Sequence, residues 1–294
     1  MYRLVVAVIF LLFPNVCVGD DKKNDTFSMP PILMQSTFKI ECQGSLGTGF
    51  VLGHNSTNKK GSGHYVLITA KHVLDGFKDD NATIHLRRKV GKKYERILHK
   101  IRIRNQGKPL WISHPTADVA VMKLPVPKNS NIRTIGVLSS ALLANDEIIQ
   151  KYEVQPGDEL MVLGFPFGVE SNESGFPILR SGRIASYPLI PTHLTQSFLL
   201  DFEVFRGNSG GPVFIYDKNR FYQGEQHLGR FRFILGLVSQ ERDLTEKVKS
   251  LEQVTIKRHR LALAVIVHAK LIRETVELLF PEDPIPEPTV IKEN

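Results

Sequence analysis

The sequence predicts an all-β chain that ends in a single helix. Two observations carry this. Short runs rich in branched and aromatic residues recur between Gly, Pro and Asn breaks, as strands do between turns. Only residues 268–280 place apolar side chains at helical spacing, with Leu271, Ile272, Val276, Leu279 and Phe280 falling on one stripe. In chain order, residues 38–52 read as the first strands, with Gly44, Gly47 and Gly49 permitting tight bends. Residues 55–63 are polar and glycine-containing, a surface loop, and 65–70 form the next strand. Residues 83–104 hold two alternating runs around Gly91-Lys92-Lys93, a hairpin. A strand at 118–124 is stopped by Pro125-Val126-Pro127, and a connection follows to about residue 155. Pro156-Gly157-Asp158 opens a second group of strands at 159–164, 198–205 and 231–239, followed by the apolar run 261–267. Pro281 stops the helix, and the proline-rich, polar residues 282–294 read as a flexible tail.

The chemistry concentrates in Arg206-Gly207-Asn208-Ser209-Gly210-Gly211-Pro212-Val213. Its glycines admit backbone conformations closed to residues with a Cβ. Such a bend can aim a hydroxyl into a cleft and turn successive N–H groups toward a developing oxyanion. A serine hydroxyl is a poor nucleophile at neutral pH and needs a base within hydrogen-bond reach. Leu67-Ile68-Thr69-Ala70-Lys71-His72-Val73 supplies an imidazole at a strand end, and Thr116-Ala117-Asp118-Val119-Ala120 supplies a carboxylate that can orient it. Taken singly, each is ordinary: a turn, a core histidine, a strand-opening aspartate. Their joint occurrence, in the order His72, Asp118, Ser209, points to nucleophilic catalysis.

The order and spacing resemble the chymotrypsin-like (trypsin-fold) serine proteases, and within them the HtrA-type protease domain. The matching pieces are Gly47-Thr48-Gly49-Phe50-Val51, Thr69 to Val73, Asp118-Val119-Ala120-Val121, Gly164-Phe165-Pro166-Phe167-Gly168, Ser181-Gly182-Arg183-Ile184, Gly207 to Val213 and Gly236-Leu237-Val238-Ser239. The pieces run from Gly47 to Ser239, and the resemblance extends over roughly residues 40–280. The resemblance implies two six-stranded antiparallel β-barrels with a C-terminal helix and an active site between the barrels. It divides the chain into a barrel with its connection at 36–145 and a second barrel with the helix at 146–280, the tail being 281–294. It implies His72 as base, Asp118 as orienter, Ser209 as nucleophile, and the N–H groups of Gly207 and Ser209 as oxyanion hole. The residue six before the nucleophile, Glu203, is implied at the base of a specificity pocket walled by Val238, Ser239 and Gln240; a solvent-facing Glu203 is the alternative. Asn208 stands where trypsin-like zymogens carry an aspartate that pairs with a newly cut amine, so no such switch is expected. Val73 stands where many secreted relatives have a cysteine, which favours the disulfide-free branch. The tail leaves no room for the PDZ domain that many HtrA-type proteins carry.

The implied activity is a secreted serine endopeptidase acting on protein or peptide substrates. The alternative is a catalytically inactive module of the same fold that holds extended peptides by strand addition. Composition agrees with a globular chain: 42% of residues are hydrophobic and no repeat is evident. Residues 1–19 combine Arg3, an apolar run at 4–13 and small residues Cys17 and Gly19 before Asp20, the layout of a cleaved signal peptide. A retained N-terminal anchor is the alternative, although the run is short for a bilayer span. Secreted or periplasmic localisation follows. Cys42 is then the one remaining thiol, expected as a small buried hydrophobe. The net charge of +8 gathers at Arg87-Arg88-Lys89, Lys92-Lys93, Arg96, Lys100, Arg102 and Arg104. This reads as a solvated hairpin face in preference to a nucleic-acid or anionic-polymer site. Lys257-Arg258-His259-Arg260 reads as a solvated loop. No histidine or cysteine spacing suits a metal, and no phosphate loop or dinucleotide fingerprint is present, so no cofactor is expected.

Overall fold

The computed structural model describes residues 28–55, 63–126, 137–249 and 254–286. The leader expected at 1–19 and the last eight residues of the tail lie outside them. The described part opens with helix α1 (Met29–Ser36), which has prolines in its first turn, where their fixed φ and missing N–H cost nothing. Met29 and Leu33 of this helix are buried.

An antiparallel sheet follows, made of β1 (Thr37–Cys42), β2 (Ser45–Asn55), β3 (Gly63–Thr69), β4 (Asn81–Val90), β5 (Lys93–Arg102), β8 (Ile112–Ser113) and β9 (Ala120–Lys123). The short strands β6 (Arg104–Asn105) and β7 (Lys108–Pro109) pair with each other. Spatial order in the large sheet is β5-β4-β1-β2-β3-β9-β8. Helix α2 (Lys71–Gly76) leaves the end of β3, and helix α3 (Asp146–Lys151) lies in the connection to the second half. Asn145 caps α3 through its side chain, which accepts from the Ile148 N–H.

The second half is a closed barrel of β10 (Glu159–Gly164), β11 (Ile178–Ile184), β12 (Ser197–Asp201), β15 (Val254–His268), β14 (Glu225–Lys249) and β13 (Pro212–Tyr222), in that spatial order. The ladder of β13 on β10 closes it. Of the two six-stranded barrels expected, one is therefore present as such. The N-terminal strands form a seven-stranded sheet, and no ladder joins β5 to β8 among the described residues.

Buried side chains make one continuous core, running from Phe38, Phe50 and Ile68 to Leu163, Phe214 and Ile266. Each such side chain contributes about 1.5–3 kcal/mol by leaving water. Cys42 is buried and free, as its lone apolar role requires. Helix α4 (Ala269–Leu279) buries Leu271, Ile272 and Val276, but it packs on β9 of the first sheet as well as on β14. It fastens the two halves together. No described helix is long and apolar enough to cross a membrane.

One element differs from the sequence reading in kind. The backbone of Lys257-Arg258-His259-Arg260 is not a loop but lies within β15, opposite residues 243–246 of β14. The register sets Asp243 across from Arg260 and Glu246 across from Lys257 in a two-stranded ribbon. A polar ribbon and a polar loop share the same charged composition, and a period-two pattern is hidden where polar residues fall at successive positions.

Burial gives the fold an acid sensitivity. His268 sits at the start of α4 with its ring 4.8 Å from that of Phe198, and desolvation lowers its pKa to about 4. Burial also lowers His54 and His85. An unfolded histidine takes a proton near pH 6.5 while the folded one resists, so stability is full above that value and falls as pH drops toward 4. The limiting slope is about 1.4 kcal/mol per pH unit for each such group. Urea unfolding at pH 7 and pH 5 should show this loss, and His268→Phe should flatten it by about one proton's worth. An unchanged slope in the variant would remove His268 from the account.

Candidate active site

The site forms where the first sheet meets the barrel. β3 runs out at Thr69, whose hydroxyl donates to the Thr48 carbonyl at 2.7 Å, and the chain turns into α2. His72 lies in the first turn of that helix. Its Nδ1 is 2.7 Å from Asp118 Oδ2, and its backbone N–H donates to Asp118 Oδ1 at 2.9 Å. Ser239 Oγ donates to Asp118 Oδ2 at 2.5 Å. Burial works to raise the Asp118 pKa, but the donors from His72 and Ser239 outweigh it and hold the carboxyl below its usual range. The carboxylate therefore fixes the His72 proton on Nδ1 and leaves Nε2 as a base.

Asp118 is itself delivered by a tied loop. His114 Nδ1 accepts from the N–H groups of Thr116 at 3.2 Å and Ala117 at 3.0 Å. A nitrogen that accepts twice carries no proton, so Nε2 is the donor, to Glu274 Oε2 of α4 at 3.1 Å. Gln196 Nε2 adds a bond to Thr116 Oγ1 at 2.8 Å. The C-terminal helix thus holds the aspartate loop through one buried imidazole.

Ser209 occupies a bend clamped from two sides. Thr48 Oγ1 donates to the Gly207 carbonyl at 2.6 Å, and the Thr48 N–H donates to the Ser209 carbonyl at 2.9 Å. On the other side the Gly210 N–H donates to the Val238 carbonyl at 2.7 Å. Gly207 has φ +99°, and a Cβ there would stand 2.3 Å from the Phe165 carbonyl oxygen. Gly210 has φ +86°, and a Cβ would meet the Thr48 carbonyl oxygen at 2.1 Å. Both positions require glycine for conformation and for space. Among the described residues, the N–H groups of Gly207 and Ser209 have no acceptor. The Ser209 hydroxyl donates to the Ser239 carbonyl at 2.9 Å, and no hydrogen bond joins it to His72.

The expected pocket residues separate. Ser239 is tied to Asp118 and Ser209, Val238 is fully buried in the core, and Gln240 is exposed. The Glu203 side chain is 43% exposed, with its carboxylate 4.0 Å from Arg260, whose Nε lies 3.3 Å from Glu241. Glu203 is thus no isolated buried anion. Asn208 is buried, and its Nδ2 has no partner among the described residues.

The model of the trypsin-like peptidase domain matches residues 47–221, more than half of the chain. The chain belongs to the trypsin-like peptidase family. Among solved structures, this trypsin-like peptidase is similar to a serine-to-alanine mutant of Rv3671c from M. tuberculosis H37Rv in its inactive form. The likeness covers 90% of this chain and 97% of that one, at 17% identity and TM-score 0.42. It is also similar to the protease Anisep from Arthrobacter nicotinovorans, over 83% and 94% of the two chains, at 14% identity and TM-score 0.43. The comparison with curated proteins finds no match.

Sequence reading brought His72, Asp118, Ser209 and Gly207 forward, and the fold gathers all four. It missed His114 and Glu274, which lie 160 positions apart. Only the placement of a histidine four residues before Asp118 could have drawn attention to the first. His114→Ala leaves two loop N–H groups without an acceptor, and turnover by the trypsin-like peptidase should fall about tenfold with KM within about twofold. His114→Asn, whose carbonyl can accept from the same N–H groups, should recover most of the loss. Equal losses in Ala and Asn variants, measured by steady-state kinetics, would contradict a capping role.

Proposed function

We propose that the chain is a secreted or periplasmic serine endopeptidase of the HtrA-type branch, with His72, Asp118 and Ser209 cleaving peptide bonds through an acyl-enzyme. One observation carries this reading: the Asp118 carboxylate takes both the ring and the backbone N–H of His72, which leaves Nε2 free to act as base. The leader-like residues 1–19 support secretion. In the same reading, 36–145 and 146–280 are two barrel units, the seven-stranded sheet being the rolled counterpart of the closed barrel.

In the reaction, Ser209 Oγ turns from the Ser239 carbonyl toward His72 Nε2 and attacks the substrate carbonyl carbon. Its proton passes to Nε2, and Asp118 stabilises the imidazolium. The oxyanion accepts from the Gly207 and Ser209 N–H groups, each such donor being worth about 10²–10³ in rate. Collapse expels the amine, which takes the proton from Nε2, and leaves an ester on Ser209. Water repeats the sequence and frees the acid. Neutral Asn208 offers no charge to an N-terminal ammonium, so activation by a new amine is not part of the scheme.

A second reading, an inactive peptide-binding module, draws on the Ser209 hydroxyl being engaged by Ser239 and not by His72. Labelling with a peptidyl organophosphonate, followed by mass mapping, separates the two. An adduct on Ser209 is expected. Ser209→Ala should lose peptide hydrolysis by a factor on the order of 10⁶ while melting as the parent does. Undiminished hydrolysis in that variant would refute the nucleophile.

Specificity follows from the charges around Glu203. Because Arg260 stands beside it and solvent reaches it, its carboxylate is poorly placed to hold a substrate cation. Peptide-library digestion by Glu203→Ala should give the same residue preference before the cut as the parent. Cleavage after Arg or Lys that collapses in the variant would restore Glu203 as a pocket base.

A further inference from the structure

Gly207 can offer its N–H to an oxyanion only if the Arg206–Gly207 peptide is turned the right way. The C=O and N–H of a trans peptide point in opposite directions. The Arg206 carbonyl accepts from the Phe167 N–H at 2.6 Å, and this sends the Gly207 N–H to the far side, where it has no acceptor among the described residues. Phe167 provides that donor from φ 53°, ψ 22°, a left-handed conformation that an aromatic residue adopts only when its surroundings impose it.

What imposes it comes from the other half of the molecule. Glu170 follows three residues later, its side chain only 11% exposed, and it lies 2.8 Å from Lys39 Nζ of β1. Arg96 of β5 closes on the other Glu170 oxygen and donates to the Glu173 carbonyl at 3.1 Å. Lys39 Nζ reaches the Gly168 carbonyl at 3.5 Å. Gly175, at φ +81°, leaves room for Arg96, whose Nε would stand 3.1 Å from any Cβ there. Beyond this, Ser174 Oγ donates to the Tyr94 carbonyl at 2.8 Å, and Arg87 donates to the Gly175 carbonyl at 2.5 Å. The Arg87 guanidinium lies between the rings of Phe38 and Phe176, at 4.6 and 4.5 Å. The segment that sets the oxyanion donor is thus held by β1 and the β4–β5 hairpin, through one nearly buried carboxylate.

We propose that Glu170, with Lys39 and Arg96, is a positioning latch for the Gly207 oxyanion donor, acting through Gly168 and Phe167. This rests on the proteolytic reading and assigns to it a control point outside the triad. None of the three residues need touch substrate.

Two variants test it in the full-length protein. Arg96→Ala removes the more exposed partner, and Glu170→Gln keeps the shape while removing the charge. Arg88→Ala, which breaks the Arg88–Glu95 pair elsewhere on the same hairpin, is the control. Amide hydrogen exchange over residues 165–169 reads the latch without catalysis, and kcat and KM on a peptide substrate read its consequence. Exchange should quicken about tenfold or more in both latch variants, with kcat falling about tenfold and KM within about twofold. Affinity for a peptide aldehyde, whose adduct places an oxygen in the hole, should fall in step with kcat. The control should match the parent in all of these. Unchanged exchange in both latch variants would overturn the proposal, as would faster exchange with unaltered kcat, or equal losses in the control. A parent protein that neither turns over substrate nor takes an organophosphonate on Ser209 would overturn the proteolytic reading, and this proposal with it.

Discussion

The Asp118 carboxylate sits where three separate segments must meet, and the geometry of the site depends on it. It takes two donors from His72, at the head of α2, and one from Ser239, on β14 of the barrel. A carboxylate partly withdrawn from water would be unfavourable without donors, and with them it stays ionised. Each donor therefore has a second effect beyond its own bond. The His72 N–H fixes the helix end to the aspartate loop, the ring N–H fixes the tautomer, and the Ser239 hydroxyl brings the barrel to the first sheet. Because the halves are also joined by α4 and His114, relative motion between them would break several charge-assisted bonds at once.

The Ser209 side of the site is built by close backbone approach instead of charge. Thr48 reaches across from β2 with both its hydroxyl and its N–H, and its carbonyl can lie against the bend because Gly210 lacks a Cβ, while Gly207 leaves room for Leu46 and the Phe165 carbonyl. The same economy recurs at Gly47, where a Cβ would stand 2.5 Å from a Val73 methyl, directly behind His72.

This division explains what the sequence could reveal. Glycines forced by positive φ or close approach, together with a serine, a histidine and an aspartate at strand ends, leave a local signature, and those segments were legible. So was the helix at 269–279, whose apolar stripe has a clear period. The supporting shell was not legible, because its members are joined only in space. Arg87 belonged to a run of cations that reads as solvated, yet it is fully buried and donates to the carbonyls of Met34, Gln35, Thr37 and Gly175. Desolvation lowers its pKa to about 9, still charged at neutral pH, so the guanidinium, bonded through both terminal nitrogens and with Nε without a partner among the described residues, is a structural pin. Arg96, Arg88 and Arg104 are likewise engaged, with Glu170, with Glu95, and with the carbonyls of Asp79 and Leu74. A charge run states how many cations there are, not how many have partners. The length of β14 escaped notice for a related reason, since its apolar stretch ends where the barrel ends and its polar continuation carries no period.

Ser239 links the two halves of the chemistry. Its hydroxyl donates to Asp118 while its carbonyl accepts from Ser209, so one residue touches the orienting acid and the proposed nucleophile. The bond to Ser209 is between neutral groups and worth about 0.5–1.5 kcal/mol net, whereas the bond to Asp118 is charge-assisted and stronger. The two do not compete, since one uses the side chain and the other the main chain. Turning Ser209 toward His72 breaks the weaker bond and leaves the stronger in place, so the base remains oriented while the hydroxyl moves. The cost of that turn is smaller than the contribution of a single oxyanion donor, about 2.7–4 kcal/mol. The resting direction of the Ser209 hydroxyl is therefore a weak argument against catalysis. The orientation of the Arg206–Gly207 peptide, which no side-chain rotation can supply, is the more demanding condition.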